Sequence, residues 1–352
     1  MGTGDSVTVR RPAAAIGLMA ARPRAVCAWL AEHGERVTGS VAIRRIGIGQ
    51  SNITSIVTDA EGRQWVLREP PTGTNKGNAH DVAREAAIIG TLANSGVPVP
   101  RVVGVGATGD GGSFFMMERV VGAPLESEDD ALAVDPRQRH ELGLQAIRTL
   151  ARLHKLDPAC LAVTSSATPF VERQIRRFSD AWLRIGSDSA HDAAWRAVRA
   201  RLLEQLPHQP GPTVVMHGDF RLSNLLVSDG RITAVLDWEL CTVGDAMVDL
   251  AWLLDDWRSP DEPAISMPSP TRAGGFPSRA ELVDVYRNET GFSVDRLGFY
   301  RGFTQWRAAG LLQGVLGRRR SGALGDHGAV DLDRLDDSIA ALLSSAAIQL
   351  KG

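Results

Sequence analysis

An aspartate and an asparagine stand five residues apart behind a His-Gly pair, in the run His217-Gly218-Asp219-Phe220-Arg221-Leu222-Ser223-Asn224. That spacing suits a loop for phosphoryl transfer from a magnesium nucleotide. Asp219 is expected to accept or orient the proton of an attacking hydroxyl. The amide oxygen of Asn224 can bind Mg2+ without adding charge, and Asp237, in Val235-Leu236-Asp237-Trp238-Glu239, is expected as the second metal ligand. His217 is expected to hold the loop by hydrogen bonds rather than to act on substrate.

Such a loop needs a scaffold, and the surrounding pattern supplies one. Residues 213–216 read as a short buried strand entering the loop, and 225–227 and 232–236 read as a hairpin around Asp229-Gly230. Upstream, strands are expected at 41–46, 53–58 and 64–68, then a helix over 81–92, then strands at 101–105 and 113–118. A short helix is expected at 25–31. Longer helices are expected at 136–156, 193–206, 279–289 and 295–316, with 258–278 a loop rich in Pro, Gly and Ser. The stretch after 156 reads as irregular.

The chain has 352 residues, enough for two lobes. Its net charge of −2 argues against a dedicated nucleic-acid binder. Cys27, Cys160 and Cys241 are far apart and lack metal spacing, which fits thiols in a reducing cytoplasm. Met1-Gly2 fits an acylation pattern, and Arg10-Arg11 precedes a mildly apolar run, but both read better as a disordered leader. No apolar stretch is long enough for stable membrane insertion.

Gly104-Val105-Gly106-Ala107-Thr108-Gly109 matches a dinucleotide fingerprint letter for letter. The fingerprint works only where a helix opens, because the helix N-terminus holds the pyrophosphate. A strand follows instead, so this is read as a hairpin.

The catalytic run, with Leu236-Asp237-Trp238-Glu239, Gly244-Asp245 and Asp249-Leu250-Ala251, resembles the aminoglycoside phosphotransferase and choline kinase superfamily over roughly residues 40–320. The resemblance implies an α+β, bilobal, protein-kinase-like fold, with a small N-lobe of antiparallel sheet plus helix and a larger, mainly helical C-lobe. It implies a leader and short helix over 1–37, the N-lobe over 38–120, a connecting hinge near 119–122 and the C-lobe over 121–352. It implies ATP and Mg2+, and a small-molecule hydroxyl as acceptor. Asp245 and Asp249 belong to the pattern, with pinning of the loop and following helix as the plainer role.

The resemblance also places the nucleotide residues. Ser51 and Asn52, at a hairpin tip after Gly49, are expected near phosphate. A lysine is usual at position 68, where this chain has Arg68. Only Lys76, Lys155 and Lys351 are lysines among 39 basic residues, so no neighbour replaces it. Arg68 keeps the charge and is expected to pair with Glu85, with or without phosphate contact. The adenine is expected at the Glu118 carbonyl and the Val120 amide, beside Met117.

Two further stretches, Val66-Leu67-Arg68 through Glu85 and Phe299-Tyr300-Arg301 through Arg318, resemble the branch associated with acyl-CoA dehydrogenases. That branch also carries Arg at the strand position and points to a hydroxyacyl-CoA-type acceptor. An aminoglycoside or other antibiotic is the alternative, with Asp255, Asp256 and Glu262 as a possible acidic bowl. Arg301, Arg307 and Arg318–Arg320 instead suit an anionic acceptor or simply a solvated helix end. A catalytically silent nucleotide-binding protein is the reading of another class, motivated by Arg68. The oligomeric state is left open.

Overall fold

The computed structural model describes residues 23–46, 52–70, 81–107, 112–161, 168–207, 211–321 and 331–351. Ser51, Gly49, Lys76, Gly109 and the N-terminal motifs lie outside these residues. The chain forms two compact units. The first contains the residues up to Ala93 with Pro100–Val120, and the second contains Asn94–Val99 with Val121 onward.

In the first unit, α1 (Pro23–Glu32) precedes a five-stranded antiparallel sheet. The strands are β1 (Ala42–Ile46), β2 (Ile53–Thr58), β3 (Gln64–Glu69), β4 (Val102–Ala107) and β5 (Ser113–Glu118), in the spatial order β1-β2-β3-β5-β4. Helix α2 (Val82–Leu92) runs between β3 and β4. Asp81 caps it by accepting the Arg84 amide, and Val82, Ala86 and Ile89 share its buried face at helical spacing. Trp65 and Leu67 alternate inward from β3 and pack with Val26 and Leu30 of α1, Val57 and Phe114. Helix α1, expected ahead of the lobe, therefore shares its core.

The apparent dinucleotide fingerprint has a packing explanation. Gly104 and Gly106 lie inside β4, and β4 pairs antiparallel with β5, with Ala107 opposite Ser113. A Cβ on Gly104 would approach the His33 ring to 2.6 Å, and one on Gly106 would collide with the Phe114 ring. The glycines let the Trp29–His33 stack and Phe114 lie against the strand.

The second unit is mainly helical. In order it contains α3 (Glu128–Leu132), α4 (Pro136–His154), α5 (Phe170–Ile185), α6 (Asp192–Glu204), β6 (Thr213–Met216), β7 (Leu225–Ser228), β8 (Arg231–Val235), β9 (Thr242–Asp245), α7 (Ala246–Asp256), α8 (Arg279–Thr290), α9 (Leu297–Arg320) and α10 (Leu332–Gln349). Strands β7 and β8 form the expected hairpin, where Asp229 and Gly230 both take positive φ, 50° and 69°. Strands β6 and β9 pair antiparallel, a partnership the sequence pattern did not single out.

Helices α5 and α10 add to the expected set. Only Val171, Ile175 and Trp182 of α5 are buried, and it has no side-chain N-cap, which explains the irregular reading there. Trp182, Trp195 and Trp306 stack in succession with 4.4 Å between neighbouring centroids, locking α5, α6 and α9 together. Helix α9 is thereby buried along most of its length, which fixes the position of Arg307. Among the described residues, no helix is long and apolar enough to cross a membrane.

Candidate active site

Strand β6 delivers His217, Gly218 and Asp219 into a loop that requires its glycine. Gly218 has φ +87°, and a Cβ there would lie 2.8 Å from the Leu240 carbonyl oxygen. The His217 ring stiffens the same loop. Its Nδ1 accepts the Asp219 amide at 3.2 Å and its Nε2 donates to the Leu236 carbonyl at 2.8 Å. A backbone N–H can only donate and a carbonyl can only accept, so the ring carries its proton on Nε2. His217 is fully buried, as a structural histidine should be.

Asp249, in the first turn of α7, grips the loop from below. Its carboxylate accepts the His217 amide at 2.6 Å and the Gly218 amide at 2.9 Å, and lies 3.4 Å from His154 Nε2. The other nitrogen of His154 meets the Tyr286 hydroxyl at 2.6 Å. Burial acts to raise the Asp249 pKa, but the hydrogen bond and charge of His154 and the Gly218 amide outweigh it. The carboxyl is held below its ordinary value. Asp245 caps α7 by accepting the Met247 amide at 3.0 Å, and it also accepts the Gly211 amide and the Tyr300 hydroxyl. Both acids have the pinning geometry anticipated for them.

The predicted catalytic carboxylate is held at both oxygens. Asn224 Nδ2 donates to Asp219 Oδ2 at 2.9 Å and to the Asp219 carbonyl at 2.8 Å. Trp252 Nε1, on α7, donates to Asp219 Oδ1 at 2.7 Å. The Arg307 guanidinium lies 4.9 Å over the Trp252 ring, and its Nη2 reaches the Gly218 carbonyl at 3.4 Å. Spacing gave no sign of Trp252, because it sits among Ala251, Leu253 and Leu254 in an apolar helix.

The hairpin brings the two predicted metal ligands to one end of its ladder. Leu236 donates its amide to the Asn224 carbonyl at 2.8 Å, and Asp237 follows directly. Asp237 is left-handed, φ 63° and ψ 63°, one of two such non-glycine residues among those described. A left-handed aspartate carries backbone strain of a kind concentrated at functional sites. Asn224 directs its amide nitrogen at Asp219, so its amide oxygen faces away. An amide oxygen with a carboxylate suits magnesium, which binds few protein ligands and keeps water and phosphate for the rest. No group of three His, Cys, Asp or Glu residues among those described forms a self-contained metal cage.

In the first unit, β3 and α2 meet through charge. Arg68 Nη2 pairs with Glu85 Oε2 at 3.0 Å, and Nη1 donates to Thr54 Oγ1 at 3.2 Å. Asn52 Nδ2 reaches the same Glu85 oxygen at 3.4 Å. Glu85 and Asn52 are buried, so this is a low-dielectric pair held by three elements. Met117 is buried at the end of β5, and Glu118 accepts the Arg101 amide through its side chain, at 3.0 Å. Val120 is half-buried just beyond the strand.

The acids at the end of α7 and just after it are paired with arginines. Arg301 Nε pairs with Asp255 at 2.9 Å, with Thr304 and Gln305 also donating to that carboxylate. Arg221 pairs with Asp256 at 3.3 Å, and Arg279 with Glu262. Burial pushes Asp256 up to about 6, with Arg221 opposing and Asp219 adding to the rise. A small cavity of about 20 Å³ opens here, lined by Arg221, Trp252, Asp255, Asp256, Thr304 and Gln305 among others. Arg301 and Arg307, read in sequence either as cations for a substrate anion or as part of a solvated helix end, are committed within the protein.

The fold and this loop are those of a kinase-like small-molecule phosphotransferase. A model of the phosphotransferase enzyme family matches residues 42–282, and the chain belongs to that family. Members of this family phosphorylate hydroxyl groups of small molecules. The chain is 31% identical over 328 residues to acyl-CoA dehydrogenase family member 10 of Mus musculus, covering 88% of this chain and 29% of that one. It spans about a third of the length of the curated relatives it matches. A crystal structure described as an aminoglycoside phosphotransferase from Ralstonia eutropha JMP134 superposes with a TM-score of 0.73 at 25% identity, covering 93% of this chain and 96% of that one. A thermostable mutant of aminoglycoside phosphotransferase APH(4)-Ia, in ternary complex with AMP-PNP and hygromycin B, shares the fold with a TM-score of 0.60 at 18% identity, covering 93% of this chain and 98% of that one.

Proposed function

We propose that this chain transfers the γ-phosphoryl group of ATP, as its magnesium complex, to a hydroxyl of a hydroxyacyl-CoA-type molecule. The observation that carries the reaction is the Asp219 carboxylate, fixed at both oxygens in a loop whose Asn224 lies beside Asp237. Asp219 orients the acceptor hydroxyl and takes its proton as the phosphoryl group leaves ATP. Asn224 and Asp237 hold magnesium, which supplies positive charge to the phosphate oxygens. In the first unit, Ser51, Asn52, Arg68 and Glu85 serve the phosphates, while Met117, the Glu118 carbonyl and the Val120 amide serve the base. Intact Asp219, Asn224 and Asp237 weigh against a catalytically silent protein.

The acceptor class rests on two supports. The relatives include proteins named for acyl-CoA dehydrogenation, and Asp255, Asp256 and Glu262 are each met by an arginine. A polycationic aminoglycoside needs uncompensated carboxylates, and Asp255, Asp256 and Glu262 are already paired. The hygromycin B complex of the fold relative supports antibiotic phosphorylation as the second reading.

ADP release, measured with magnesium ATP and a panel of hydroxyacyl-CoA thioesters and aminoglycosides, tests both. A thioester-dependent signal that vanishes in Asp219→Asn is expected. A signal from aminoglycosides alone overturns the acceptor assignment, and no acceptor-dependent signal at all overturns the transferase reading.

A further inference from the structure

We infer that Trp252 and Arg307 are positioning residues for phosphoryl transfer, acting together through the Asp219 carboxylate. The inference rests on Asp219 being the group that meets the acceptor hydroxyl. A carboxylate offers about four lone-pair directions, two on each oxygen. Asn224 occupies one on Oδ2 and the indole N–H of Trp252 one on Oδ1. With a donor on each oxygen, rotation of the carboxylate about its own bond is stopped, and the remaining lone pairs point in fixed directions. A single donor would leave the plane free to turn.

The indole is itself held. Trp252 is 6% exposed, and its ring carries the Arg307 guanidinium 4.9 Å above its face. Arg307 is 8% exposed, so that stacking takes place away from water, where a cation over an indole is strongest. The same guanidinium reaches the Gly218 carbonyl, one residue before Asp219. Arg307 thus touches both the indole that fixes the carboxylate and the backbone that carries it. Its own position is set by α9, where neighbouring Trp306 stacks on Trp195. Burial, with the charge of Arg177, holds the Arg307 pKa below its ordinary value, and the charges of Asp219 and Asp249 oppose that fall.

Rigid location of a catalytic group matters at this scale, since displacement of about 1 Å can cost about a hundredfold in rate. Trp252→Phe keeps the aromatic volume and removes the one donor. It is expected to lower turnover roughly ten- to hundredfold while leaving KM for ATP within about twofold. Arg307→Met is expected to act in the same direction, and Arg307→Lys, which keeps the charge, to recover part of the loss.

A second measurement needs no turnover. In protein labelled with 15N-tryptophan, the Trp252 indole resonance is assigned by its loss in Trp252→Phe. Asp219→Asn is then expected to move that resonance more than those of the other seven tryptophans. An indole indifferent to Asp219→Asn, or wild-type turnover in Trp252→Phe, overturns the positioning role while the transferase reading stands. A wild-type protein without acceptor-dependent ADP release removes the role of Asp219, and the positioning role falls with it.

Discussion

Gly218 donates its amide to Asp249 Oδ1 at 2.9 Å, tying the loop that carries Asp219 to the first turn of a buried helix. The neighbouring His217 amide bonds the other oxygen of the same carboxylate. Two consecutive amides pointing one way need a local concavity, and the positive φ at Gly218 provides it. Helix α7 therefore does two jobs from one face. Asp249 holds the loop backbone, and Trp252, three residues on, reaches the reactive side chain.

Removing that grip should be felt as lost stability. Asp249→Ala leaves two buried amides and His154 without their shared acceptor, and each unsatisfied buried group costs about 1–3 kcal/mol. A total of roughly 3–5 kcal/mol is expected by urea unfolding, with Asp249→Asn intermediate because it keeps one acceptor oxygen. An unchanged urea midpoint for Asp249→Ala would show that the loop is held by other means.

Much of this site is legible in the sequence because its spacing is local. Asp219 and Asn224 lie within one loop, and the Asp229-Gly230 turn fixes how soon the chain returns to Asp237. Asp245 and Asp249 are readable as pins through the family pattern, although the Gly211, His217 and Gly218 amides they hold lie 31 to 34 residues away. No such pattern marks Trp252 and Arg307 as supports of the loop. Their partners lie 33 and 89 residues away, at Asp219 and Gly218, and only tertiary packing brings them together. Arg307 reads in sequence as one of several cations for a substrate, yet burial against an indole gives it a different position. Helix α10 is a different case. Leu335, Ile339, Leu342 and Ala346 recur at helical spacing behind an Asp331 cap, so the signal is present in the chain.

The Arg68–Glu85 pair separates two roles that sequence leaves open. If Arg68 meets phosphate, Arg68→Ala raises KM for ATP about tenfold or more, since charged hydrogen bonds contribute about 1.5–3 kcal/mol. If the pair is only structural, the same variant loses stability, because Glu85 remains buried beside Asn52 without its cation. Steady-state kinetics alongside thermal melts distinguish these. We expect both effects, with Arg68→Lys recovering more of the stability than of the ATP affinity, because an ammonium can still pair with Glu85 but lacks the fork that would meet phosphate oxygens at the same time. A normal KM with a lowered melting temperature removes Arg68 from the nucleotide residues.

Asp256 gives the protein a pH dependence that can be isolated. Its folded pKa is raised, from an ordinary 3.8 to about 6, so the folded state binds this proton more tightly than the unfolded chain does. The resulting stabilisation is fully present below about pH 3.8 and is lost as pH rises through about 6. The gap corresponds to about 3 kcal/mol at about 1.4 kcal/mol for each tenfold step, an upper figure because Arg221 and Arg258 sit close enough to reorganise. Asp256→Asn cannot ionise and carries no such dependence. Buried Asp255 also titrates, but it is common to both proteins. The difference in unfolding free energy between Asp256→Asn and wild type should therefore shift in the variant's favour between pH 4 and 6 and then level off. Loss of the Arg221 ion pair adds an offset but leaves the slope at acid pH readable. Urea titrations at half-unit pH intervals measure that difference, and a constant value across the range means that Asp256 titrates as an ordinary carboxylate.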